Sequence, residues 1–193
     1  MLLIAVTAQQ LEVDLAAGRV ACPDCRGRLA RWGFARPREV RMRAGVRSLR
    51  PRRAFCRGCG RTHVLCPSWS VPGRRDGAQV IGEALRLAAG GEGHRRIARR
   101  LDRAPGTVRG WLRAARANAQ SVRACATRWV VVLDPQSGAI TPAGGGELGD
   151  AVEAVMLAVR AWVLRFGRDP VGTWERAVWL TGGLLTGRPG VPP

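Results

Sequence analysis

The chain has 193 residues, and its net charge of +18 comes from 32 basic side chains against 14 acids. Every basic side chain is arginine; lysine is absent, and so is tyrosine. The length allows one ordinary domain or two to three small ones, and no run reaches the roughly eighteen apolar residues of a membrane-spanning helix.

Leu2–Val6 is a short apolar run with no basic stretch before it and no cleavage signal after it. It predicts a strand rather than a secretory leader. Thr7 is placed to cap a short helix over 8–17, with Leu11 and Leu15 on one face. These first eighteen residues form a small N-terminal unit of net charge −2.

From residue 19 to 70 the pattern changes to strand-like pieces at 29–34, 39–43 and 48–55, broken by Pro37, Gly45 and Pro51. Residues 19–61 hold fourteen arginines against Asp24 and Glu39. Two pairs stand out, Cys22-Pro23-Asp24-Cys25 and Cys56-Arg57-Gly58-Cys59. A C-x2-C spacing puts two sulfurs on one tight turn, and two such turns complete a four-thiolate shell. Gly27 and Gly60, close behind the pairs, are expected to let the backbone aim N–H groups at the sulfurs.

Cys22, Cys25, Cys56 and Cys59 are therefore read as ligands of one structural Zn²⁺, in a zinc ribbon too small to fold without it. His63 and Cys66 leave a second set open, a compact site of Cys56, Cys59, His63 and Cys66. A redox dithiol fits less well, because neither pair sits at a strand-to-helix junction. Paired cysteines without an export signal predict a reducing compartment, the cytoplasm. Cys125, alone, reads as a small buried residue.

Pro67, Pro72 and Gly73 mark a linker, with Arg74 and Arg75 in it available to phosphate. Residues 76–128 then predict three helices, at 78–89, at 95–101 and from Pro105 to about 119. The second and third form a helix-turn-helix pattern. Ala98 is small where two helices cross, Ile97 and Leu101 flank it, and Val108, Trp111 and Leu112 fix the angle of the next helix. Asp102 stands where the turn usually has glycine, and Ala104 is a weak cap for the third helix.

In this arrangement the third helix enters the major groove of duplex DNA, with Thr107 and Arg109 facing base edges and Arg95, Arg96, Arg103 and Arg113 gripping phosphate. The net +9 of residues 62–128 supports a polyanionic partner. A weaker segment at 129–133 leads through glycines 144–146 to a C-terminal helical segment, 147–185. It reads as a long helix to Phe166, a second helix over 173–180, and a loose tail from Thr181. The long helix carries a stripe of Val152, Val155, Met156, Val159, Trp162 and Val163, suited to a core or to a homodimer face. The fold expected is α+β and mostly helical: a zinc ribbon, a three-helix domain and a C-terminal helical hairpin.

The order Cys-Pro-x-Cys, then Arg52-Arg53-Ala54-Phe55-Cys56, Cys59-Gly60-Arg61-Thr62-His63 and Gly93-His94-Arg95-Arg96-Ile97-Ala98 continues to Thr107-Val108-Arg109-Gly110-Trp111-Leu112. It resembles a bacterial family of zinc-ribbon plus helix-turn-helix proteins known as a domain of unknown function. The layout is also similar to the N-terminal DNA-binding region of insertion-sequence transposases. The likeness covers about 20–119, and more faintly Trp174 to Leu185. It implies binding at a promoter or at a transposon end.

A transposase would also need three spaced carboxylates holding two Mg²⁺. The remaining acids are Asp134, Glu147, Asp150, Glu153, Asp169 and Glu175. Glu147, Asp150 and Glu153 fall in the first turns of one helix, where acids favour the dipole. The expectation is a non-catalytic, nucleoid-associated DNA binder acting as a transcriptional regulator. A mobile-element protein and a ribbon adaptor for protein or RNA remain open as alternatives.

Overall fold

A computed structural model describes residues 2–137, 144–168 and 170–187, which form six strands and six helices. The fold is α+β and about half helical. The strands are β1 (Leu2–Ile4), β2 (Leu29–Phe34), β3 (Arg38–Arg41), β4 (Val46–Leu49), β5 (Arg52–Cys56) and β6 (Thr62–Pro67). The helices are α1 (Ala8–Ala16), α2 (Ala78–Ala89), α3 (His94–Leu101), α4 (Pro105–Leu133), α5 (Gly146–Phe166) and α6 (Thr173–Leu180). None of the helices is long and apolar enough to cross a membrane.

Four strands make one sheet in the order β1-β6-β5-β2, with β1 parallel to β6 and the other pairs antiparallel. β3 and β4 form a separate hairpin. Pro51 lacks the N–H needed to continue a ladder and splits the expected 48–55 strand between the two sheets. The N-terminal strand is no independent unit, since Leu2, Leu3 and Ile4 pair with Leu65, Cys66 and Pro67. Thr7 caps α1 as expected, its Oγ1 accepting from the Gln10 N–H at 3.1 Å.

Side chains alternate across the sheet. On one face Leu29, Ala54 and Leu65 meet Leu11 and Leu15 of α1 in a small core that also contains Cys22 and Cys56. Glu12 of α1 reaches Arg31 at 3.1 Å and Arg52 at 3.0 Å, fixing the helix to that face. The other face is not covered in this way.

A second, larger core joins all of α2 to α6. Ile97 and Ala98 of α3 pack with Val108, Trp111 and Leu112 of α4, all five buried. α4 does not stop near 119 but runs unbroken for 29 residues, a length of about 43 Å at the usual helical rise. The expected separate segment at 129–133 is its last turn. Arg123 of α4 meets Asp150 of α5, and Trp129 meets Trp162 edge to face. Residue numbers thus rise together along the pair, and the two helices run parallel.

The C-terminal helices belong to the same core as 76–128 rather than to a segment of their own. Trp174 of α6 lies where a Cβ on Gly82 would be, so α2 carries glycine at the point of closest approach. Val152, Val155 and Val159 of the α5 stripe are buried inside the chain and unavailable to a second copy. The tail after α6 is held too. The buried Asn118 amide donates to the Leu184 and Gly187 carbonyls at 2.9 and 2.8 Å. Trp129 Nε1 donates to the Leu180 carbonyl at 2.8 Å. The Cys125 thiol is buried against that carbonyl, as expected of a small core residue.

Candidate metal centre and basic helix surface

The two cysteine pairs come together. Sγ atoms of Cys22, Cys25, Cys56 and Cys59 all lie within 4.8 Å of one another, with Cys22–Cys59 at 3.7 Å and Cys25–Cys56 at 3.4 Å. A tetrahedral thiolate shell with metal–sulfur bonds of about 2.3 Å places its sulfurs roughly 3.8 Å apart. These residues fit a bound metal ion.

The turns that carry them match residue for residue. The Arg26 N–H donates to the Cys22 carbonyl and the Gly60 N–H to the Cys56 carbonyl, both at 2.9 Å. Each turn then passes through a left-handed residue, Arg26 at φ 63° and Gly60 at φ 71°. Gly60 is the left-handed residue of its turn, whereas Gly27 follows that position and, as expected, aims its N–H at the Cys25 sulfur. The first turn puts arginine in the left-handed position. Gly27 is needed because a Cβ there would lie 3.2 Å from both Cys25 Sγ and Cys56 Sγ.

The backbone favours anions at the inner sulfurs. At Cys56 the N–H of Cys59 leads in lowering the thiol pKa to about 7, against the cost of burial. At Cys22 burial pushes upward, but the Cys25 and Asp24 N–H groups outweigh it and the pKa is lowered. Cys25 and Cys59 behave oppositely. The Gly27 N–H favours the Cys25 thiolate, but the neighbouring Cys56 and Cys59 sulfurs push its pKa up to about 12. The Arg61 N–H favours the Cys59 thiolate, yet burial and the Cys22 and Cys56 thiols leave its pKa raised. Four sulfurs this close cannot all ionise without a cation, and a metal ion bound among them would supply the missing charge.

The alternative set does not assemble. His63 Nε2 sits 3.3 Å from Cys22 Sγ and 3.7 Å from Asp24 Oδ2, on the rim of the four-sulfur group. Cys66 lies elsewhere, buried, with the Arg38 guanidinium donating to its sulfur at 3.5 Å. His63 is thus a partner of Cys22. Neither its role nor strand β6 was legible as such, because reading 63 and 66 as ligands hides the strand alternation of Thr-His-Val-Leu.

A three-residue turn, Asp102 to Ala104, joins α3 to α4. Asp102 is left-handed at φ 51°, so aspartate takes the conformation usually given to glycine. Arg95, Arg96, Arg109 and Arg113 are exposed on the outer surface of α3 and α4, with Arg99 beside them and Thr107 half-buried.

Arg103 is not part of that surface. Its Nε donates to Asp76 Oδ1 at 2.6 Å, and other guanidinium N–H groups reach the Met42, Leu101 and Asp102 carbonyls. Asp76, only 1% exposed, also accepts from Arg41 of β3 at 2.6 Å. Arg103 therefore ties the turn to the β3–β4 hairpin and cannot at the same time grip phosphate. Arg74 in the linker is engaged as well, donating to the Thr186 carbonyl at 2.5 Å. Asp169 lies outside the described residues.

No family model matches the chain, and no curated protein or solved structure matches it either.

Proposed function

We propose that the protein is a non-catalytic, sequence-specific DNA-binding protein that acts as a transcriptional regulator, with one structural Zn²⁺ in the four-cysteine site. In this reading α3, the turn and α4 act as a helix-turn-helix. Zinc is the metal of choice because four thiolates form a closed, soft tetrahedral shell with no open position for substrate.

The observation that carries the reading is the outer surface of α3 and early α4. Its inner residues are consumed by the core, and what remains outside is arginine without a single lysine. Guanidinium is the side chain best suited to paired hydrogen bonds with phosphate and with guanine. α4 also carries Gly106 and Gly110, where a Cβ would meet nothing within 4 Å. Glycine in a helix costs about 1 kcal/mol relative to alanine, and close approach of this backbone to a groove would account for both.

Duplex binding is expected to weaken steeply with salt. If about six phosphates are neutralised, affinity should fall by roughly 10³ between about 50 and 200 mM salt. A flat titration followed by fluorescence anisotropy would reject the reading.

Two substitutions divide the contacts by kind. Arg109→Ala should cost ~1–3 kcal/mol and relax preference at one base position in sequences selected from a random pool. Arg96→Ala, on the supporting helix, should weaken all sequences about equally and lower the salt slope by about one. An unchanged selected motif in Arg109→Ala, with an altered one in Arg96→Ala, would reverse the assignment of the two helices.

A further inference from the structure

The face of the sheet opposite α1 is closed at its β1 end, where Leu3 packs on the helical core and Arg38 reaches Cys66. The rest of it carries Ala30 and Trp32 from β2, Arg53 and Phe55 from β5, and Thr62 and Val64 from β6. The register sets them together, since Ala30 is opposite Phe55, Phe55 opposite Thr62, and Arg53 opposite Val64. None of the six is buried. The Trp32 and Phe55 rings lie against each other, centroids 5.1 Å apart and tilted by 32°, with Trp32 55% exposed. Arg57 continues the alternation of β5 into the cysteine turn and is exposed.

Phe34 shows by contrast what is unusual here. The bulge between Arg31 and Phe34 turns that ring to the covered side, opposite Arg52. There the guanidiniums of Arg50 and Arg52 stack on it at 4.8 and 4.5 Å. Among the described residues no guanidinium stacks on Trp32, although residues 19–61 carry a net +12. An exposed Trp32 ring, resting on a half-buried Phe55, is thus left open to solvent within the most basic part of the chain.

We propose that this sheet face is a binding platform for single-stranded nucleic acid. Unpaired bases stack on the Trp32–Phe55 shelf while Arg53 and Arg57 meet the phosphates. Stacking needs a free π-face, which a paired duplex does not offer along its length, and it tolerates any base sequence. The net +12 of residues 19–61 favours a polyanion over a protein partner. The platform is built on β2 and β5, not on α3 and α4, so it stands apart from the duplex-binding reading.

The test measures binding of oligo(dT), oligo(U) and a non-specific duplex to the zinc-loaded full chain and its variants. Trp32→Ala should lose roughly 5- to 150-fold in affinity for the single strands and keep wild-type affinity for the duplex. Trp32→Phe, which retains a ring, should recover most of the loss. Trp32→Leu keeps apolar bulk without a π-face, so it should retain zinc and unfold like wild type yet bind single strands as poorly as Trp32→Ala. The tighter of the two wild-type oligomers identifies DNA or RNA as the natural strand. Wild-type single-strand affinity in both Trp32→Leu and Phe55→Ala overturns the proposal, as does wild-type protein that binds duplex but neither oligomer.

Discussion

Cys22→Ser is expected to unfold the ribbon while leaving the helical body folded. The core beneath the sheet consists of Leu11, Leu15, Cys22, Leu29, Ala54, Cys56 and Leu65, so two of its seven buried members belong to the four-cysteine site. So few apolar side chains cannot offset the conformational entropy of ordering four short strands. A structural zinc site contributes an apparent ~10–16 kcal/mol in comparably small modules, more than any other single interaction in this part of the chain. The core of α2 to α6 shares none of these residues and should survive. Metal analysis together with hydrogen exchange checks this. Amides of β2, β5 and β6 should lose protection in Cys22→Ser or on chelation, and those of α2 and α4 should keep theirs. Full zinc retention by Cys22→Ser would remove the site from these four residues. Cys66 offers no replacement ligand, because its sulfur faces Arg38.

Asp76→Ala should cost about 3–5 kcal/mol, the usual consequence of removing one partner from a buried ion pair. Asp76 is buried between Arg41 of β3 and Arg103 of the α3–α4 turn, with both nitrogen–oxygen distances at 2.6 Å. The Arg103 side chain is itself only 11% exposed, so it would be left desolvated and unpaired. Arg41, at 44%, can return to water and contributes less. Arg103→Ala should therefore be nearly as damaging as Asp76→Ala, and the double variant less damaging than the sum. Denaturant unfolding measures all three. A loss below about 1 kcal/mol in Asp76→Ala would mean the pair behaves as an exposed surface bridge.

What could be read in the sequence follows from how local each signal is. Gly90-Gly91 and the apolar spacing of Val80, Ile81, Ala84 and Leu85 set α2 to the residue, and Thr7 set the start of α1. The cysteine spacing identified the four sulfurs that meet, because both turns repeat one local hydrogen-bond pattern. α4 was read too short because its support past residue 119 is not local: the buried Asn118 amide donates to the carbonyls of Leu184 and Gly187, 66 and 69 residues away. Arg103 looked like any other arginine of a basic block. Only Asp76, 27 residues earlier, separates it from its solvated neighbours. The Trp32–Phe55 shelf could not be seen before the register of β2 on β5 was known.

The position of β1 has a consequence for the order of assembly. Both cysteine turns lie within residues 22–59, so metal uptake needs little more than that stretch to have left the ribosome. β1 is made first, yet its partner β6 follows more than sixty residues later, in parallel pairing. Leu3 also packs on the helical core, near Gly183. The strand can pair once β6 has emerged, but the Leu3 contact near Gly183 must wait for nearly the whole chain, and non-local closure of this kind is slow. The metal centre is expected to form early during synthesis, pairing of β1 with β6 to follow, and packing of Leu3 on the helical core to come last.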